Sequence, residues 1–533
     1  MKCFTVIFAP MKKLRRFKEK ETRRVFFAIF GGKMIGIIAI LAAMIGVNSF
    51  LGGAANAQTA AVEHTANQLV SPVNTIWVLV TAFLVFFMQA GFMALEAGFA
   101  RSRETVNVLL ECVFDTCLCG ILYWAFGFAF QFGTGNGFIG HTYFWLHGTP
   151  ETYGSTGVAF LAFFLFQFAF ADTCSTVTSG AMVGRTGFKG DIWYSAAVSG
   201  FIYPIFGHWV WGPGGWLGNM TLHPLNTFTH GALFRDFAGS TVVHTVGGFI
   251  ALAGAIVLGP RLGRKFKRDG GGPLPPHDLT MGSIGAIILW FGWYGFNPGS
   301  TLSALDFTGI GRVATNTTLA ACSAGLVAIF WVYPRSKKWD LGIACNGLLG
   351  GLVAITCPCY WVSPFGAVMI GAVAGIVVPL GIDLLEWYRI DDPIGAVAVH
   401  GFAGIWGTLS LGLFATGFGV PTADGVDRTS VVKGLFYGGG WSQLKAQFIG
   451  SLTCVIVVTA VSLIVMIAVK KTVGLRVSRE GELEGLDLHE HGTPAYHMEF
   501  GQGMTYTTLT GVGSFLGGGS EARAGVGVEK DSS

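Results

Sequence analysis

Two stretches decide how this 533-residue chain is read: Asp236-Phe-Ala-Gly-Ser-Thr-Val-Val-His244-Thr-Val-Gly-Gly248 and Asp392-Pro-Ile-Gly-Ala-Val-Ala-Val-His400-Gly-Phe-Ala-Gly404. Each opens on Asp, reaches His eight residues on, and carries a small pair three and four residues after the His. Both lie in apolar runs of membrane-spanning length. The copies stand five runs apart in chain order, an odd number, so the two cross the membrane in opposite directions. Inverted repeats of this kind build their sites where the copies meet, near the bilayer midplane. Eight residues of helix rise about 12 Å, which carries each His towards the middle of a hydrocarbon layer about 30 Å thick.

The rest of the chain agrees. Hydrophobic residues make up 52% and charged residues 12%, against roughly 25% charged in a soluble domain. Apolar runs longer than the ~20 residues a helix needs to cross hydrocarbon recur along it. They are not ten-residue alternating strands, which favours a helix bundle over a barrel. The fold expected is an all-α polytopic membrane protein, helices 1–5 and 6–10 forming the inverted repeat, with an eleventh at the end. The runs fall near 75–99, 105–131, 155–181, 191–211, 237–259, 280–297, 313–334, 340–358, 363–385, 394–418 and 446–470. Alternate connections hold most of the basic residues: Arg101 and Arg103, Arg185 and Lys189, Arg261 to Arg268, Arg335 to Lys338, Arg389, then Lys470 and Lys471. The others carry only Arg235, Arg312, Arg428, Lys433 and Lys445. By the positive-inside rule the N-terminus lies outside and the C-terminus in the cytoplasm, as in an inner (plasma) membrane protein. A net charge of +4 gives no reason to expect nucleic acid.

Residues 1–57 are expected to be a secretory signal: a basic stretch from Lys12 to Arg24, an apolar stretch from Met34 to Leu51, and a small-x-small site at Ala55-Asn-Ala57. An uncleaved extra helix is the alternative. Residues 58–74 then form a polar leader, 75–471 the membrane domain and 472–533 a cytoplasmic tail, disordered beyond about 500. The cysteines fall mostly in apolar runs, where Cys packs as a small hydrophobe. No metal site is expected.

Of twelve histidines, only His244 and His400 lie deep in apolar helices. A polar group at that depth is costly unless it meets a partner or a cavity. A lone buried His reads as core; two at symmetry-related positions read as a pore.

Seven segments, in order, resemble the ammonium transporter (Amt/Mep/Rh) family. They are Phe87-Met-Gln-Ala-Gly-Phe-Met-Ala-Leu-Glu96, Phe166-Gln-Phe-Ala-Phe170, His208-Trp-Val-Trp211, the Asp236 to His244 segment, Gly295-Phe296-Asn-Pro-Gly-Ser300, Ala344-Cys-Asn346-Gly, and the tail from Gly474 to Tyr496. The resemblance implies an ammonium transporter rather than an enzyme: a homotrimer with one pore per subunit and no cofactor. It assigns Trp211, Ser300 and Phe170 to a recruitment site, with Asp236 the acidic residue near its mouth. Phe170 and Phe296 become a stacked gate, and His244 and His400 the lumen pair. A PII-type regulatory protein is a possible cytoplasmic partner.

The chemistry suits these residue types. Ammonium is close to potassium in size but donates hydrogen bonds and a proton. An indole face such as Trp211 attracts a cation, worth about 0.5–2 kcal/mol, and a hydroxyl such as Ser300 accepts an N–H. Imidazole donates from one nitrogen and accepts at the other. Asp236 reads equally as a cation-attracting charge and as a helix cap. A buried Phe reads as core on its own; only the resemblance makes Phe170 and Phe296 a gate. Asp172, two residues past Phe170, faces either the pore or a neighbouring helix; Glu111 and Asp115 add an acidic i, i+4 pair. Two rivals remain: a membrane cytochrome with haem between the histidines, and an ammonium sensor that conducts little.

Overall fold

The computed structural model describes residues 59–419, 421–422, 425–426 and 430–496, with side chains for 69–419 and 430–496. The expected signal segment and the chain beyond 496 lie outside the described residues. The chain divides into two units, Met1–Val70 and Ser71–Ser533, and the packing below is that of the second.

Its helices are α1 (spanning Leu69–Phe99), α2 (Ser102–Phe132), α3 (Phe160–Gly180), α4 (188–211), α5 (Ser240–Leu258), α6 (Leu279–Gly299), α7 (Phe307–Ser336), α8 (Leu341–Thr356), α9 (Pro364–Tyr388), α10 (Val397–Phe414) and α11 (Ser442–Thr472). Among the described residues nine are long and apolar enough to cross a membrane. The two short of that standard stand where spans are expected. α8 has 16 residues, and α4 is assembled from Phe188–Ala197, a π turn at Val198–Ile202 and Tyr203–Trp211.

Some boundaries differ from the sequence reading. The chain is already helical at Thr59, inside the expected polar leader. α3 starts at Phe160 rather than 155, because β1 (Thr152–Tyr153) and β2 (Val158–Ala159) pair as a hairpin first. In the second half, helix starts follow capping chemistry. Asp278, Asp306 and Asp340 each accept the backbone N–H three residues on, at 3.0 Å, and Ser363 does so at 3.1 Å. Each such cap satisfies an N–H that the helix leaves open, worth about 0.5–2 kcal/mol.

The layers are graded by burial. Within their apolar windows α5 is 83% buried and α3 78%, whereas α11 is 28% buried and faces outwards. Small residues allow the central crossing: a Cβ on Gly248 would stand 2.3 Å from the Gly401 nitrogen, so α5 and α10 touch backbone to backbone.

The connections sort into two faces. Residues 472–496 fold into α12 (Arg479–Glu484) and α13 (Leu486–His491). Gly187 N–H donates to the Leu475 carbonyl, Arg103 to the Leu483 carbonyl and Arg476 to the Pro260 carbonyl. The basic connections thus gather at one end, the tail side. At the opposite end the Trp216 N–H meets the Gly137 carbonyl, Phe237 N–H meets the Cys357 carbonyl, and the Tyr360 hydroxyl donates to Asp306. The basic and non-basic connections therefore separate as the charge pattern predicts.

Candidate functional site

The repeat quoted from sequence is a repeat of local structure. Asp236 accepts N–H bonds from Gly239, Thr241 and Val242 at 2.8–2.9 Å. Asp392 accepts from Ala396 and Val397, both at 2.9 Å. Three residues after each Asp stands a glycine with positive φ, Gly239 at 117° and Gly395 at 85°, a conformation that a Cβ disfavours. Each helix then opens in a π turn, Ser240–Thr245 and Val397–Phe402, and the His lies inside it. A π turn shifts side-chain direction relative to an α-helix, and such turns occur often at functional sites.

These turns bring the histidines together. His244 Nδ1 and His400 Nδ1 lie 3.1 Å apart, with ring planes 30° from parallel. One nitrogen donates and the other accepts across this contact. The direct contact leaves no room for a haem between them, which removes the cytochrome reading. His244 also stacks on Trp293 (5.2 Å, 20°) and Phe296 (5.4 Å, 26°), and its Nε2 has no hydrogen-bond partner among the described residues. Trp293, held by its N–H to Thr356 at 2.8 Å, was not picked out by sequence; nothing in its pattern separates it from a core tryptophan.

On the side away from the tail, Phe296 stacks on Phe170 at 4.0 Å and 17°. Phe170 meets Trp211 edge-on at 6.2 Å. A cavity opens above, lined by Phe170, Trp211, Phe237 and Ser300 among others. The Trp211 N–H donates to the Asp236 carbonyl at 2.8 Å, and the Ser300 hydroxyl to the Phe296 carbonyl at 2.8 Å. The indole face and the Ser300 oxygen lone pairs are thereby fixed in place. Asp236 does not line this cavity; its carboxylate is engaged by the backbone, and of its two sequence readings the cap is the one with visible bonds.

On the tail side of the pair, a narrow cavity lined by His400, Glu96 and Asn346 leads to a wide vestibule, with Asn346 and Gly395 lining both. The vestibule wall is charged. Arg261 grips Asp391 through Nε (2.8 Å) and a terminal nitrogen (3.0 Å), and Arg264 bridges Asp391 and Glu386. Burial alone would raise the Asp391 carboxyl, but the Arg261 and Arg185 guanidinium groups hold it well below the usual carboxylate range. Burial pushes neighbouring Asp392 up to about 6 against its backbone donors.

Asp172 faces a neighbouring helix: it accepts from the Thr116 hydroxyl on α2 at 3.2 Å and lines neither cavity beside the histidines. Glu111 accepts from the Asn107 amide at 2.9 Å, and Asp115 is equally buried beside it.

The comparisons with known proteins point one way. Residues 76–496 match the model of the Ammonium Transporter Family. The chain belongs to the ammonium transporter family. It is 42% identical to ammonium transporter Amt2 of Archaeoglobus fulgidus over 428 residues, 80% of this chain and 88% of that one. It is 39% identical to ammonium transporter 1 member 3 of Solanum lycopersicum, over 80% and 93%. Among solved structures it is similar to a protein described as a sensor Amt protein (TM-score 0.70, 34% identity, 80% of this chain and all of that one). It is also similar to Mep2 of Candida albicans (TM-score 0.68, 27% identity, 78% and 88%). As a member of the ammonium transporter family this chain is a multi-pass membrane protein of a transporter class, not an enzyme.

Proposed function

We propose that this protein transports ammonium through the pore that His244 and His400 line. Ammonium is drawn from the far mouth onto the Trp211 indole face and the Ser300 oxygen, which attract a cation and accept its N–H. A bare cation in the hydrocarbon layer is costly, so at the mouth one N–H bond of ammonium breaks, its proton goes to the histidine relay, and ammonia passes the Phe170–Phe296 stack. The histidine pair receives ammonia in single file and relays the proton. The observation that carries this reading is the 3.1 Å contact between His244 and His400, because two neutral imidazoles in series both donate and accept. With the tail side cytoplasmic, as the basic connections imply, transport runs inwards across the plasma (inner) membrane. The assembly is a homotrimer, and the folded tail of α12 and α13 offers a PII-type protein a surface.

A second reading is a sensor that binds ammonium and conducts little, favoured by the likeness to the sensor Amt protein. Rescue of a transport-deficient cell on low ammonium separates them. Growth supports transport; no growth, with the protein present in the membrane, supports the sensor.

A further inference from the structure

Glu96 is a membrane-depth carboxyl that the proposed pore does not use. It lies near the tail-side end of α1, 1% exposed, and pairs with no Lys or Arg among the described residues. Its carboxyl accepts a hydrogen bond from the Ser179 hydroxyl of α3, at 3.2 Å. Its open face lines the narrow cavity that His400 of α10 and Asn346 of α8 also line, between the histidine pair and the vestibule. Behind it, at the packing of α2 and α4, stand two more buried acids. They are Glu111 and Asp191, both buried. An uncompensated carboxylate at this depth is costly, and two acidic neighbours add to the cost. A carboxyl so placed can take up and release a proton beside the cavity that lies between His400 and the vestibule.

We propose that Glu96 is the proton-transfer group on the tail side of the histidine pair. It donates its proton to ammonia arriving from His400. The Glu96 O–H bond breaks, a fourth N–H bond forms, and ammonium departs through the vestibule past Asp383, Glu386 and Asp391. The carboxylate left behind takes up the proton that the imidazoles relay from the far mouth, where incoming ammonium released it. One ammonium enters and one leaves, with ammonia and proton separated only across the apolar stretch between them. This inference rests on the transport reading above, and goes beyond it in naming where the proton rejoins its carrier.

The test uses the full-length protein in proteoliposomes, with ammonium uptake and transported charge recorded side by side. Glu96→Gln keeps the shape and removes the acid. It is expected to lower the charge moved per ammonium accumulated by about tenfold or more, the scale of losing one proton-transfer group. Glu96→Asp is expected to restore much of that charge with a displaced pH profile. Ser179→Ala, which removes the hydroxyl donor, is expected to displace the profile as well, and it decides the matter should Glu96→Gln not fold. A merely structural Glu96 would change protein yield and thermal stability but leave charge per ammonium and pH profile alone; that result overturns the proposal. Uptake without any charge movement in the wild type also overturns the Glu96 step, while leaving transport standing. Absence of uptake in the wild type overturns the transport reading itself.

Discussion

His244 and His400 meet through their Nδ1 atoms, 3.1 Å apart, each lying inside a π turn and eight residues after an Asp. The contact is possible because the helices behind it touch at Gly248 and Gly401. Whichever Nδ1 donates, the other accepts, so the contact has a direction.

Trp211 presents its face to the mouth cavity with its N–H tied to the Asp236 carbonyl. Replacing it by Leu removes a cation–π contact of about 0.5–2 kcal/mol, which is about 2- to 30-fold in binding. Half-saturation for ammonium is expected to rise within that range in Trp211→Leu, measured by uptake against concentration.

Phe170 and Phe296 are stacked at 4.0 Å with little tilt. Phe170→Ala opens the apolar layer between the mouth and the histidines. A potassium leak is expected in vesicles carrying the variant and absent from wild-type vesicles, read with a potassium electrode.

Asp236 accepts three backbone N–H bonds at the start of α5. Asp236→Ala is expected to lose about 0.5–2 kcal/mol, the worth of a cap, seen as a lower melting temperature in detergent. A variant with unchanged melting temperature but a strongly raised half-saturation would assign the carboxylate to cation attraction instead.

Asp391 holds its charge between Arg261 and Arg264. Because its folded-state carboxyl sits below the ordinary value of about 4, its stabilisation is complete above that pH and is lost as pH falls towards the folded value. Asp391→Asn is expected to cost about 3–5 kcal/mol near neutral pH by leaving Arg261 unpaired. The melting-temperature gap to wild type is expected to stay constant from pH 7 to about 5 and to narrow below about 4.

Much of this was legible in the sequence, and the reasons are physical. Long apolar runs and the placement of Arg and Lys report on lipid and topology directly, so the helices and the two faces could be read off. The Asp–His spacing revealed the repeat because identical local problems, a cap and a sharp opening turn, recur in both halves. The π turns at Ser240–Thr245 and Val397–Phe402 were hidden, since a one-residue widening leaves no composition signal. The π turn inside 188–211 likewise broke an apolar run that reads as one helix. Asp172 could not be aimed from sequence: whether an acid two residues past Phe170 faces the pore depends on where Thr116 of α2 lies. Trp293 and Glu96 did not stand out in the sequence because packing partners distant in sequence, His244 and Ser179, define their places.

The central claim is that the histidine pair is the conducting element, and its most direct test is ammonium uptake by the His244→Leu/His400→Leu double variant in proteoliposomes, beside wild type at equal protein density. The pore is predicted to lose ammonium-driven uptake and charge movement together. Uptake and charge matching the wild type in a correctly folded double variant would contradict the account.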